Sequence, residues 1–313
     1  MISKALIQKW SRMLKHNSVL HVKQAEGKYY SVSEVAGYYN DFSGKVQSTK
    51  SFDENGIPLN TASHGEEKKQ VYFPIAIFQY GLGAYDLWIE TKEQRYYDIF
   101  IKMANWAVNN QDDSGAWNTF GVLHYNNPYS SMAQGEGASL LARAFKETKV
   151  ELYRNRCKKA VDFMLLPLEE GGTTDYSDGQ MILKEYPEKP AVLNGWMFSG
   201  FGIFDCWKIT HDENMMRAWK RTVEEIEREL PKFDALFWSY YDEGQKYASP
   251  FYHTLHIELL NVYGKISDSQ VMERYRAKWL QNENSWFDSK RAFGFKAFQK
   301  ISEKKTQEWV FVE

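Results

Sequence analysis

An alternation of helix types, repeated four times, constrains this chain more than any other feature. Apolar segments run from Phe73 to Trp88, Pro128 to Phe145, Ala191 to Trp207 and Phe251 to Tyr263. Each is followed by a charged, amphipathic one: Glu93 to Asn110, Glu151 to Leu166, Glu213 to Leu230 and Ser267 to Trp279. A helix that is apolar all round has to be buried, whereas one with a single wet face belongs at the surface. Recurrence at a roughly fixed spacing signals a repeat architecture. The pattern predicts a mainly α chain: an incomplete α/α toroid of about four helical hairpins, with apolar helices inside and amphipathic ones outside.

Each inner segment carries one polar residue in its first two turns: Gln79, Gln134, Asn194 and His256. This register predicts that the four face one interior. Small residues follow in three of them: Gly81 and Gly83; Gly135 and Gly137; Gly195, Ser199, Gly200 and Gly202. A helix-interior glycine costs about 1 kcal/mol against alanine. These helices are therefore shaped for close approach by a neighbouring helix or a ligand. Links within a pair are short, as in Glu90-Thr-Lys92 and Thr210-His-Asp212. Links between pairs are long: Ala116 to Asn126, Thr173 to Pro187 and Phe237 to Ser249, with Trp286 to Lys296 after the last pair. They alternate like β-hairpins and are expected to gather at one rim. Long ordered connections in a compact domain are usually functional.

The first seventy residues differ. Ile2 to Leu14 reads as a short amphipathic helix, Tyr29 to Lys50 is Tyr- and Ser-rich without helical pattern, and Asp53-Glu-Asn-Gly56 is a turn signal. Residues 1–70 are expected to form an extended arm packed on a toroidal body of residues 71–313, a single structural domain overall. A chain of 313 residues can bury a large core. A net charge of −2 without a basic stripe leaves no footprint for nucleic acid. Two cysteines, Cys157 and Cys206, are too few for a disulfide scaffold. With no apolar N-terminal run to suit a signal peptide or membrane span, a cytoplasmic location is the expectation. Tyr29, Tyr30, Tyr38 and Tyr39 read as exposed and raise the expectation of a homodimer.

The chemistry narrows by residue type. His253-Thr-Leu-His256 has i, i+3 spacing but no acidic or cysteine partner at a usual ligand spacing, so no metal is expected. The glycines are helix-interior, not a phosphate loop after a strand, and no cofactor is implied. Aromatics beside acids and amides, as in Tyr240-Tyr241-Asp242 and Asn126-Asn-Pro-Tyr129, suit a carbohydrate site. What remains is carboxylates and phenols: Glu185-Tyr186-Pro187, Tyr241-Asp242 and Tyr252-His253, all at one end of the ring. A phenol, with a pKa near 10 in water, can give a proton to a carbanion.

In order and approximate spacing, six motifs over about residues 70 to 280 resemble the C-terminal catalytic domain of the D-glucuronyl C5-epimerase family. They are Gln79-Tyr-Gly-Leu82, Tyr129-Ser-Ser-Met-Ala-Gln-Gly135, Glu185-Tyr-Pro187, Val192-Leu-Asn-Gly-Trp-Met197, Tyr241-Asp242 and Tyr252-His-Thr-Leu-His256. The resemblance implies an isomerase that turns D-glucuronic into L-iduronic acid residues in a heparosan-type polysaccharide, by removing and returning the C5 proton. It places the family's catalytic glutamate on Glu185 and its tyrosines on Tyr186, Tyr241 and Tyr252. Glu185 and Tyr252 are expected to be base and acid on opposite faces of the sugar, with Tyr186 and Tyr241 bonding its carboxylate. Gln79, Tyr129, Gln134, Asn194, His253 and His256 are expected to bind substrate. The animal enzymes of the family resemble dimers. One departure stands out. The family follows its Tyr-Asp with Leu-Arg, the arginine holding the uronate carboxylate, whereas this chain reads Tyr241-Asp-Glu-Gly244. The carboxylate needs another partner here, or the substrate differs. Three alternatives stay open: a uronate polysaccharide lyase, a glycoside hydrolase using Glu185 with Asp242, and a non-catalytic glycan-binding member of the family.

Overall fold

The computed structural model describes residues 22–302 and 309–312. The helix expected over Ile2 to Leu14 lies outside the described residues. A short helix α1 (Ser43–Ser48) and a hairpin of β1 (Asn60–His64) and β2 (Glu67–Val71) precede the helical body. Four helical hairpins follow: α2 (Pro74–Thr91) with α3 (Gln94–Asn110), α4 (Ser131–Thr148) with α5 (Glu151–Met164), α6 (Leu193–Thr210) with α7 (Glu213–Glu229), and α8 (Pro250–Ser267) with α9 (Gln270–Asn284). Helix α10 (Trp286–Ser302) and strand β5 (Val310–Val312) close the described chain. Strand β5 pairs antiparallel with β1, giving the sheet order β2-β1-β5. Among the described residues, no helix is long and apolar enough to cross a membrane.

The four inner helices are each 18 residues long and end in one device. The last helical residue is Thr91, Thr148, Thr210 or Ser267, and its hydroxyl donates to the carbonyl four residues back at 2.7–2.8 Å. The next residue, Lys92, Lys149, His211 or Asp268, takes a left-handed φ of 54° to 59°. That conformation stops the helix and lets an inner carbonyl be capped, at a cost of about 1 kcal/mol for a non-glycine residue. The chain then turns back into the amphipathic outer helix.

The small residues of the inner helices serve helix–helix contact. A Cβ on Gly135 would lie 2.5 Å from the Ser199 Cα, and one on Gly202 would lie 2.4 Å from the Gly135 Cα. Helices α4 and α6 therefore cross backbone to backbone, with Ser199 Oγ donating to Ser131 Oγ at 2.9 Å.

The N-terminal arm touches all four inner helices. Tyr38 N–H donates to Asp86 of α2 at 2.9 Å, Arg143 of α4 donates to the Gly37 carbonyl at 2.9 Å, and Tyr39 O–H donates to Asp205 of α6 at 2.7 Å. Asn261 and Lys265 of α8 both donate to Glu26 at 2.7 Å. Arg143 and Asp205, both fully buried, pair at 2.6 Å beneath these contacts. This corrects the reading of four exposed tyrosines. Tyr38 and Tyr39 are fully buried, Tyr39 stacking on Phe201 at 4.2 Å, and Tyr30 bonds Glu26. Tyr29 is half-buried. The arm spends its aromatic surface inside the chain, so these residues no longer motivate a dimer.

Two of the long links need correction. Ala116 to Asn126 is not a β-hairpin: Asn118 Oδ1 accepts from Gly121 N at 2.8 Å and sets a 3-10 turn over Gly121–Leu123. Trp286 to Lys296 belongs to helix α10, which Ser285 Oγ starts by accepting from Asp288 N at 3.3 Å. One face of it packs on the third link, with Phe295 stacked on Tyr247 at 5.3 Å and Arg291 3.9 Å from the Phe237 ring. The other two links do pair. Strands β3 (Thr174–Asp175) and β4 (Ile182–Leu183) are antiparallel in the second, and Tyr240 bridges Tyr247 in the third.

Candidate active site

The inter-hairpin links meet over the N-terminal ends of the inner helices. Ser131 N–H, at the start of α4, donates to the Lys184 carbonyl at 3.1 Å and fixes the segment that carries Glu185. Leu193 N–H, at the start of α6, donates to the Tyr241 carbonyl at 3.3 Å, and Val192 bridges Asp242. Tyr252 sits on the first turn of α8, where Ser249 Oγ caps the helix by accepting from its N–H. Backbone pairing to helix starts is what gathers residues far apart in sequence.

They gather around one cavity of about 270 Å³. Glu185, Tyr186, Tyr241 and Tyr252 line it, with Gln79 and Asn194. The Tyr241 and Tyr252 rings lie 4.7 Å apart, and Tyr186 stacks on Phe120 at 4.6 Å. Glu185 is 6% exposed. Burial pushes its carboxyl up to about 7, against a hydrogen bond from Tyr186 that favours the ionised form. Burial, followed by the nearby Glu185 charge, drives the Tyr186 and Tyr252 phenols well above their ordinary range. Tyr241 is raised by the same two causes. The site thus holds one carboxylate poised near neutrality among three phenols that keep their protons. Glu185 Oε2 and Asn194 Oδ1 are buried without a hydrogen-bond partner among the described residues. Such orphaned acceptors in a cavity wall mark where an incoming group donates.

The inner-helix register is real but differs from the one read in the sequence. Gln79, Gln134, Asn194 and His256 stand at four different distances from the left-handed turns that end their helices. Seventeen residues back from each turn come Ile75, Met132, Asn194 and Phe251, and all four line the cavity. Thirteen residues back come Gln79, Glu136, Phe198 and Leu255. Three of these line the cavity, and the fourth, Glu136, accepts from Gln79 Nε2 at 2.9 Å.

Four expected substrate-binding residues lie elsewhere. Gln134 is fully buried against the outer layer, donating to the Gly115 and Ala160 carbonyls at 2.8 and 3.1 Å and accepting from Trp117 N at 3.1 Å. It fastens a link and an outer helix. Tyr129 packs edge-on against Phe163 at 4.9 Å. His253 stacks on Trp238 at 3.6 Å, and Ser239 Oγ bonds Nδ1 of both His253 and His256 at 2.8 and 2.9 Å. Burial pushes both imidazoles down to about 3, so both are neutral. One residue along a helix is a 100° rotation. Tyr252 and Leu255 therefore face the cavity while His253 and His256 face the link that carries Tyr241. Asp242 also turns away, accepting from Lys246 N at 3.2 Å within its own turn. It makes no carboxylate pair with Glu185 across the cavity, which leaves the hydrolase reading unsupported.

Glu136 escaped the sequence reading. A glutamate between two glycines in an apolar helix, Gly135-Glu-Gly137, was the available signal. Lys45, on α1, also lines the cavity and also went unnoticed.

The family model for the D-glucuronyl C5-epimerase C-terminus matches residues 88–281. A D-glucuronyl C5-epimerase of Caenorhabditis elegans is 27% identical over 221 residues, covering 61% of this chain and 36% of the worm protein. An uncharacterized protein of Methanocaldococcus jannaschii is 28% identical over 180 residues, covering 52% of this chain and 58% of that protein. The chain thus spans less than two thirds of either relative. Among solved structures, UGL with dGlcA-Glc-Rha-Glc superposes with a TM-score of 0.44 at 14% identity, covering 70% of this chain and 61% of that one.

Proposed function

We propose, from the premise that this chain belongs to the D-glucuronyl C5-epimerase C-terminal family, that it inverts C5 of D-glucuronate residues in a glycan. What supports the reading most is the single cavity where Glu185 and Tyr186 from one link, Tyr241 from the next and Tyr252 from the first turn of α8 converge. Removing the C5 proton, alpha to a carboxylate, needs a base whose pKa lies near the working pH. Glu185, held at about 7, fits that need. The developing enediolate carries new negative charge on the sugar carboxylate, and pre-placed donors stabilise such charge most where water is excluded. Tyr186 and Tyr241 are those donors. Tyr252 gives a proton to C5 from the opposite face, after which Glu185 holds the proton it took and Tyr252 has lost its own. Exchange of both groups with water resets the site, so solvent hydrogen enters at C5.

The test is proton NMR of heparosan incubated with the protein in heavy water. Deuterium at C5 together with new iduronate signals is the expected result. An ultraviolet-absorbing unsaturated uronate would replace the epimerase with a lyase. Absence of exchange in every glucuronate polymer tried would leave a glycan-binding protein.

A further inference from the structure

Among the described residues, Lys45 is the one cation that lines the cavity, and it reaches the cavity from the arm, outside the span that matches the family. Its helix α1 lies between the arm segment that packs on the inner helices and the β1–β2 hairpin. The cavity otherwise offers one carboxylate, three phenols, amides and an apolar wall. Among the described residues the Lys45 ammonium makes no ion pair within 4.0 Å. Its nearest anionic influence is Glu136, fully buried and bonded to Gln79.

Glu136 does not neutralise Lys45 in the ordinary way. Burial drives the Glu136 carboxyl well up, opposed by the Gln79 bond and by Lys45. Its Oε2 has no partner among the described residues. Burial holds the Lys45 ammonium below the ordinary lysine range. A partly buried ammonium that lines the cavity and has no ion pair among the described residues is an incomplete pair, and an entering anion completes it. Charge-assisted bonds of this kind are about twice as strong as neutral ones.

We propose that the Lys45 ammonium binds the carboxylate of the sugar residue held in the cavity, as a substrate-binding residue supplied by the N-terminal arm. This rests on the reading that the substrate is a uronate. The cation serves twice. It selects a uronate over the neutral hexose of the same shape, and it sits where charge grows when C5 loses its proton. Glu185 and the sugar carboxylate would otherwise repel each other in one small cavity.

The experiment measures binding of a heparosan hexasaccharide and of its carboxyl-reduced form, by calorimetry, in the Glu185→Gln background so that neither ligand is altered. With Lys45 intact, the uronate form binds about tenfold or more tighter than the reduced form. Lys45→Met removes that preference by weakening the uronate form alone, and Lys45→Arg keeps most of it. Thermal melting of Lys45→Met within a few degrees of its parent shows that the fold is kept. Three results overturn the proposal: no preference with Lys45 intact, a preference that survives Lys45→Met, or equal weakening of both ligands by that variant. The outcome is separable from the epimerase reading. A protein that exchanges no C5 hydrogen but loses uronate preference in Lys45→Met keeps the proposal and loses the activity. One that exchanges C5 hydrogen while Lys45→Met retains the preference does the reverse.

Discussion

Glu185 Oε2 occupies the space that a side chain at residue 195 would need: a Cβ on Gly195 would lie 2.3 Å from it and 2.7 Å from the Glu185 Cβ. The glycine is therefore part of how the carboxylate is seated. It lets Glu185 lie against the first turn of α6, buried and with one oxygen unpaired.

Gly195→Ala separates local stability from site geometry. In an ordinary helix interior this change stabilises by about 1 kcal/mol. Here the new methyl pushes Glu185 out of its seat. The expected outcome is a loss of about tenfold or more in C5 hydrogen exchange, since small displacements of a reacting group are costly, with a melting temperature within a few degrees of wild type. Unchanged exchange would show that the seat tolerates a Cβ.

The raised Glu185 pKa fixes two pH dependences. Below pH 4.5 the carboxyl is protonated in both folded and unfolded chains. Between 4.5 and about 7 only the folded chain holds the proton, so stability falls as pH rises. The contribution is fully lost above about 7, a change of about 3 kcal/mol at most by the conversion of pKa shifts to free energy. Glu185→Gln should remove this decline, leaving the variant relatively more stable at pH 8 than at pH 4 in paired denaturant melts. In the active protein, exchange at C5 should rise with pH and level off past about 7, because the base must be ionised. A flat profile from pH 5 to 8 would take the base role from Glu185.

Much of this arrangement was legible in advance, for physical reasons. Apolar and amphipathic helices cannot exchange places, so the alternation determined inner and outer layers. Aromatic content alone does not distinguish a strand from a helix: Trp286–Ser302 forms α10. The register was misread because polarity was used as the marker. Polar inner residues have two uses, and only Gln79 and Asn194 turn to the cavity, while Gln134 satisfies backbone groups of the outer layer. The better marker is the helix end, Thr91-Lys, Thr148-Lys, Thr210-His and Ser267-Asp, from which one ring of four lining residues and a second with three count back at constant distance. Lys45 was beyond reach of any helix pattern, since only the path of the arm brings it to the cavity.

Arg143 should prove the main tie between arm and body. It donates to the Gly37 and Ser139 carbonyls at 2.9 and 2.8 Å and pairs with Asp205, all without solvent. Removing one partner of a buried pair leaves an uncompensated charge and costs about 3–5 kcal/mol. Arg143→Met should destabilise by that order in urea melts and raise protease sensitivity within residues 22–42. A small loss, under about 1 kcal/mol, would show that the pair contributes little beyond packing.

The three phenols should separate by role. Tyr252 is the proposed acid at C5, and loss of a positioned acid typically costs about a hundredfold to ten-thousandfold in rate. Tyr186 and Tyr241 stabilise charge on the sugar carboxylate, a function they share with each other. Tyr252→Phe should therefore abolish most iduronate formation, while Tyr186→Phe and Tyr241→Phe each reduce it less. Deuterium entry gives the finer distinction. With glucuronate as substrate, Tyr252→Phe leaves Glu185 able to take the C5 proton and return it to the same face. Deuterium should then enter glucuronate without inversion, detectable as loss of its C5 proton signal with no iduronate formed. Tyr241 touches Tyr252, with ring centroids 4.7 Å apart, so Tyr241→Phe also tests whether that contact positions the acid. If Tyr252→Phe still inverts C5 at the wild-type rate, the acid is one of the other two phenols, and the faces assigned to Glu185 and Tyr252 must be redrawn.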